Sequence, residues 1–235
     1  MPARSDDLYS RGGYLARNPS WHEEHSPWKA RHILRTIARN KLEPRSVCEV
    51  GCGAGGILEE LYRSLPTSVS FVGYDISPHA YERARGKAKD RLQFHLADFL
   101  AEATPKFDLL LVIDVIEHVE DYFSFLRLLR NRATYKIFHI PLDISVQKIL
   151  LMKPLMRRRY NLGHIHYFTK ETALASLGDT GHDVIDYFYT AAALDRPPPS
   201  PLYALGRWPL KLTSMISQDL AARLLGGHSL MVLTK

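Results

Sequence analysis

From Ser46 onward the chain alternates short apolar runs with amphipathic helical patterns, and this restricts the fold more than any other feature. The runs Ser46–Val50, 69–74, Leu92–Leu96, Phe107–Ile113 and 135–140 read as strands. Between them Ile57, Leu58, Leu61 and Leu65 share one helical face, and Tyr122, Phe125, Leu126 and Leu129 share another. A strand, a helix and a second strand at this spacing require crossover connections, hence a mainly parallel sheet with helices on both sides. Ligands of such sheets sit beyond the carboxyl ends of the strands. Two further strand candidates, 183–190 and 228–234, flank the proline cluster Pro197, Pro198, Pro199 and Pro201 and a helical pattern at 212–225, an insertion able to cover the substrate side.

Upstream, Ser26-Pro27 has the form of an N-cap followed by proline at the first helical position, and Ala30, Ile33, Leu34, Ile37 and Ala38 hold one face of the ensuing helix. The 235 residues suit one domain with a full core and a modest cap, and 46% hydrophobic with 24% charged residues exclude disordered and fibrous classes. Residues 1–17 hold no apolar run of the signal-peptide kind, and nothing approaches the roughly 18 apolar residues of a membrane span, so a cytoplasmic location is expected. The two cysteines, Cys48 and Cys52, flank the end of a strand and are expected as reduced thiols. A net charge of +6 permits nucleic acid, acidic membrane surfaces or phosphorylated substrates as partners; its one dense group is Lys153, Arg157, Arg158 and Arg159.

The strongest local signal is Glu49-Val50-Gly51-Cys52-Gly53-Ala54-Gly55-Gly56, which closes a strand and opens a helix. Glycines there let the backbone turn sharply and let a ligand approach where a β-carbon would collide. Gly51, Gly53 and Gly56 also satisfy the dinucleotide spacing, which keeps a nicotinamide site open. Against it stands Glu49, two residues before the first glycine, where a dinucleotide strand carries an apolar residue and a ligand with a free ammonium would welcome a carboxylate. Asp75 closes the next strand, where a carboxylate accepts ribose hydroxyls. Asp98 and Phe99 follow the third strand, offering an acceptor to an adenine amino group and an aromatic face to its ring.

With Gly73-Tyr74-Asp75, Ala97-Asp98-Phe99 and Asp114-Val115-Ile116-Glu117-His118-Val119 added to the glycine turn, the stretch 46–140 resembles the class I S-adenosylmethionine-dependent methyltransferases. The Glu117-His118-Val119 segment resembles their small-molecule subgroup of quinone, sugar and polyketide enzymes. The resemblance implies a Rossmann-like methyltransferase fold: a seven-stranded sheet with an antiparallel final strand, an N-terminal helical lid and a C-terminal helical insertion. Residues 1–42 would be lid helices and 43–235 the methyltransferase domain, with cap-like segments near 143–168 and 195–226. It further implies that Glu49, Gly51, Cys52 and Gly53 border the methionine part of S-adenosylmethionine and Asp75 and Ile76 the ribose. Asp98 and Phe99 would border the adenine, and Asp114 and Val115 the transferring methyl.

Methyl transfer from a sulfonium is an in-line displacement, so the protein chiefly aligns the reactants, and a hydroxyl nucleophile also gains from a base. His118, His164 and His166 are the candidates for contact with the acceptor or its proton. His164 and His166 have the form of a metal-binding pair, but no third ligand is marked in the sequence, so no metal site is assigned. The expected acceptor is a small molecule, a glycan or a lipid-linked compound, most readily methylated on oxygen, with peripheral membrane contact compatible with the basic run. Methylation of carbon or nitrogen, a nucleic-acid methyltransferase, a non-catalytic cofactor-binding partner and a nicotinamide dehydrogenase are the alternatives. Nucleic acid is disfavoured because the chain has no Asn-Pro-Pro-Tyr type signature and no appended RNA-binding module.

Overall fold

The computed structural model describes residues 18, 20, 21, 23–197 and 205–235. Residues 1–17 of the expected lid, together with His22, Pro198, Pro199, Pro201 and Tyr203, lie outside the described residues. In chain order the main elements are α1 (Ser26–Arg39), β1 (Ser46–Val50), α2 (Gly56–Ser64), β2 (Ser70–Asp75), α3 (Pro78–Ala84), β3 (Leu92–Leu96), β4 (Phe107–Ile113), α4 (Tyr122–Leu129) and β5 (Ala133–Pro141). They continue with α5 (Val146–Leu151), α6 (Lys153–Leu162), α7 (Lys170–Asp179), β6 (Val184–Thr190), α8 (Ala192–Asp195), α9 (Trp208–Ile216), α10 (Gln218–Leu224) and β7 (Ser229–Thr234).

The seven strands form one sheet in the order β3-β2-β1-β4-β5-β7-β6. The first five pair in parallel, and β7 runs antiparallel to both β5 and β6, so the expected doubly wound sheet with an antiparallel last strand is the fold observed. Strand succession reverses between β1 and β4, and the glycine turn after β1 and Asp114 after β4 lie side by side at that switch point.

Each face of the sheet carries its own core. Ile33 and Ile37 of α1, with Ile57, Leu58 and Leu61 of α2, pack on Val47, Leu109, Leu111 and Ile137. On the opposite face Phe125, Leu126 and Leu129 of α4, with Ala173 and Leu177 of α7, pack on Cys48, Leu110, Val112 and Phe138. The alternation of successive β4 residues between these two faces is the period-2 geometry of a strand covered on both sides. Helix α1 is thus built into the core rather than standing apart from it. It starts one residue earlier than expected, at the expected N-cap itself: Ser26 is its first residue and is buried against Gly56, where an added β-carbon would meet the Ser26 Oγ at 2.5 Å.

The pattern at 212–225 divides into α9 and α10 because Ser217 is extended and its hydroxyl accepts from the Leu220 N–H, capping a new helix. Thr169 caps α7 as expected, in a reciprocal pair with Thr172. Cys48 and Cys52 are buried free thiols. No described helix is long and apolar enough to cross a membrane.

Candidate active site

The turn after β1 is held by the Gly51 and Cys52 N–H groups, which both donate to the Tyr74 carbonyl, at 2.8 and 3.0 Å. Gly51 has a left-handed φ of 71°, and a β-carbon there would lie 2.9 Å from Val115 Cγ2, so the β1 turn and the β4 loop can close only over a glycine. Gly53 differs: at φ 54° an added β-carbon would meet nothing within 4 Å among the described residues, leaving an open cradle. Its N–H donates to Asp75 Oδ2 at 2.8 Å while the Ser77 N–H donates to Oδ1 at 2.8 Å, which fixes the carboxylate at the end of β2. Burial raises the Asp75 pKa, and these two donors oppose the rise.

Beneath the turn, Glu49 is 1% exposed and its Oε2 has no hydrogen-bond partner among the described residues. Burial, opposed by the Lys29 charge and reinforced by Asp75, pushes its carboxyl up to about 8. Across from it Asp114 adopts φ 56°, a left-handed conformation that Asp tolerates better than most residues. That turn aims one carboxylate oxygen at His139 Nδ1 and the other at Lys29 Nζ, 2.7 Å away. Burial would raise the Asp114 pKa, but the His139 and Lys29 charges outweigh it and hold the acid well below its ordinary range. Burial pulls Lys29 down, but Asp114, Glu49 and Glu117 together outweigh it and raise its pKa, so it stays charged. His139 is fixed on its far side by Thr190 Oγ1 at 2.9 Å.

Next to this network Glu117, His118 and His164 converge, each offering a ligand-type atom within 4.8 Å of the others. The Ile165 and His166 N–H groups both donate to the Glu117 carbonyl, at 2.8 and 3.1 Å, and so dock the segment after α6 onto the loop after β4. Gly163 closes α6 in a left-handed conformation, and its carbonyl meets His118 Nδ1 at 3.1 Å. A carbonyl only accepts, so Nδ1 is the donor and Nε2 the basic atom of that ring. By the same logic His164 Nδ1 donates to Asp143 Oδ2 at 2.7 Å, and Asp143 is itself held by Lys148 and Arg158, at 3.1 and 2.9 Å. Burial opposes ionisation of Asp143, and His164, Arg158 and Lys148 together bring it down to about 2. Glu117 is fully buried with neither carboxyl oxygen hydrogen-bonded among the described residues, and burial and then Asp114 push its pKa well up. Burial and then the neighbouring His164 lower His118 to about 4.

Of the residues expected from sequence, Glu49, Gly51, Gly53, Asp75, Asp114 and Val115 come together at the switch point, and His118 and His164 pair beside them. Ile76 is 60% exposed just past Asp75, and Asp98 Oδ1 accepts from the Leu100 N–H at 2.9 Å. Three placements correct the sequence reading. The Phe99 ring is 2% exposed, packed edge-on to Tyr74 and tilted on Phe107, so it is core and offers no face to an adenine. The Cys52 side chain is buried against Gly73, so the thiol itself is core. His166 turns to the Glu120 carbonyl and the Tyr122 ring, outside the convergent group. Sequence reading passed over Lys29, His139, Asp143 and the Glu117 carboxyl. A signal for two of them was present: His139 and Asp143 fall at the carboxyl end of β5, where strand-end polar residues face the ligand side.

The methyltransferase-domain family matches residues 21–186. The chain belongs to the class I S-adenosylmethionine-dependent methyltransferases. Among curated relatives, a ubiquinone biosynthesis O-methyltransferase of Thiobacillus denitrificans is 31% identical over 113 residues, 43% of this chain and 47% of the relative. An ajmaline N-methyltransferase of Rauvolfia serpentina is 34% identical over 92 residues, 36% of this chain and 31% of the relative. These matches span at most about half the length of the curated relatives. The plantazolicin methyltransferase, solved with S-adenosylhomocysteine and a substrate analogue, superposes with a TM-score of 0.64 at 18% identity, covering 98% of this methyltransferase and 93% of that chain. Glu49 and Asp75 fit the family's cofactor by the chemistry of their donor sets: an unpaired buried carboxyl oxygen suits an ammonium, and a pinned carboxylate suits a pair of hydroxyls.

Proposed function

We propose that the protein moves a methyl group from S-adenosylmethionine to a hydroxyl oxygen of a small or carrier-linked acceptor. The observation that carries this reading is the continuity of two groups through the loop after β4. Lys29 Nζ pairs with Asp114 at 2.7 Å beside the glycine turn, and Glu117, three residues further along the same loop, converges with His118 and His164. S-adenosylmethionine, when bound, supplies an activated methyl on sulfur. Glu49 and Asp114 would hold the amino-acid end, Lys29 would meet its carboxylate, and Asp75, Ile76 and Asp98 would take the ribose and adenine. The Gly53 cradle lets the cofactor approach the backbone.

An attacking hydroxyl must lose its proton as the new bond forms. On this reading the Glu117–His118–His164 group would face the acceptor and stabilise loss of that proton, while Asp143 fixes the ring orientation of His164. The described cap segments would cover the acceptor. They carry exposed Leu150 and Leu151 just before the basic run that starts at Lys153, and exposed Met215 and Ile216 at the end of α9, which supports an acceptor carried by lipid or presented at an anionic surface. The likeness to an N-methyltransferase keeps an amine acceptor as the second reading.

The test is methyl uptake from labelled S-adenosylmethionine into hydroxylated, phosphorylated and lipid-linked acceptors. The reading expects an ether product lost in Asp75→Asn. An N-methyl product would transfer the assignment to amines, and uptake that survives in Asp75→Asn would contradict the site.

A further inference from the structure

We infer that Glu117, His118 and His164 form a binding site for one divalent first-row transition-metal ion, with Zn2+ as the reference case. The three side chains come from two loops that meet only in the folded protein, and their ligand-type atoms lie within 4.8 Å of one another. Around a tetrahedral ion at roughly 2.0–2.2 Å from each ligand, such atoms stand about 3.3–3.6 Å apart. His118 Nε2 and Glu117 Oε1 are already 3.9 Å apart, so small side-chain rotations suffice.

Two further observations point to a cation. The Glu117 carboxyl is 0% exposed and neither oxygen accepts a hydrogen bond from the described residues, an expensive arrangement that a bound cation would offset. Each imidazole is also oriented from behind in the manner of a metal ligand. His118 Nδ1 donates to the Gly163 carbonyl, and His164 Nδ1 donates to the Asp143 carboxylate, itself tied down by Lys148 and Arg158. Two imidazoles with one carboxylate suit Zn2+, Co2+ or Fe2+ and do not suit Mg2+ or Ca2+, which prefer all-oxygen shells. Three protein ligands leave a position open, and a hydroxyl oxygen bound there would give up its proton to solvent more readily. Where the ion binds is independent of the proposed reaction; what it does rests on that reading.

The experiment uses the full chain stripped with a chelator, then titrated with Co2+ while visible d–d absorption is followed, with Zn2+ as competitor. S-adenosylhomocysteine is titrated into the same samples by calorimetry. The expected result is saturation at one equivalent and loss of that saturable phase in Glu117→Gln and His164→Gln. His166→Ala should be unchanged, and Asp143→Asn should bind about 10–100-fold more weakly. Circular dichroism of Glu117→Gln, which keeps the side-chain volume, guards against simple unfolding, and retained S-adenosylhomocysteine binding gives the same assurance. Absence of stoichiometric Co2+ binding, or equal binding by wild type and Glu117→Gln, would overturn the site. If S-adenosylhomocysteine still binds in that case, the methyltransferase reading stands without the ion.

Discussion

Replacing Glu49 by Gln removes a titratable group and leaves its volume, which isolates one electrostatic contribution to cofactor binding. The Glu49 carboxyl is raised to about 8 by burial, with Lys29 pulling the other way and Asp75 adding to the rise; the buried Cys52 thiol is also within its field. At pH 7 a group of that pKa is about nine-tenths protonated, whereas an ammonium seated against it favours the carboxylate. Binding of S-adenosylhomocysteine at pH 7 should therefore release about 0.9 proton from Glu49, read by calorimetry in buffers of different ionisation enthalpy. Between pH 5.5 and 7 the ligand amine stays charged, and the affinity should rise close to tenfold per pH unit. Glu49→Gln should abolish both the proton release and the slope. At pH 8 the variant should bind weaker by about 1.5–3 kcal/mol, the usual worth of a charge-assisted hydrogen bond, and the two proteins should converge toward pH 6. Stability follows the same linkage. The folded pKa is raised, so the group's contribution is full below its ordinary 4.5 and is lost as pH climbs to about 8. Glu49→Gln should gain thermal stability relative to wild type over that window. A flat affinity profile in the wild type, or an unchanged slope in Glu49→Gln, would refute the reasoning.

Other perturbations separate binding, chemistry and folding. Gly53→Ala should fold, with the modest cost of a left-handed alanine, about 1 kcal/mol, and should weaken S-adenosylhomocysteine binding at least tenfold because the methyl enters the open cradle. Gly55→Ala should instead lower the melting temperature sharply, since its β-carbon would lie 2.6 Å from the buried Phe94 ring. Asp143→Asn should lower kcat by about 10–100-fold with S-adenosylhomocysteine affinity unchanged, because it acts through the orientation of His164. Leu58→Ala, at a fully buried site between α2 and the sheet, should cost about 2–5 kcal/mol in denaturant unfolding.

The sheet was legible because its information is local. β1, β3 and β4 have the bounds expected from their apolar runs, and the turn glycines and Asp75 occupy the strand ends that parallel topology assigns to ligands. The acceptor side was less legible because it depends on meetings between residues far apart in the chain. His164 belongs with His118 and Asp143, not with His166 two residues away, because Gly163 reverses the chain at the end of α6 and the Glu117 carbonyl then anchors the Ile165 and His166 N–H groups. Lys29 lay in a helix whose apolar period reports only its core face, and nothing in that period says that the opposite edge reaches Asp114. Phe99 misled for the converse reason: an aromatic next to a strand-end acid has the form of a ligand contact, yet the sheet turns its ring inward beside Tyr74. Composition gave no hint of the unpaired Glu117 carboxyl, since burial of an acid is visible only once both loops are in place.

The most direct test of the account is calorimetric titration of the purified protein with S-adenosylhomocysteine, alongside Asp75→Asn and a nicotinamide dinucleotide. Saturable binding at one equivalent that is lost in Asp75→Asn, with no response to the dinucleotide, is the predicted result. Absence of binding by folded wild-type protein, or dinucleotide binding in its place, would contradict the assignment of the switch-point site.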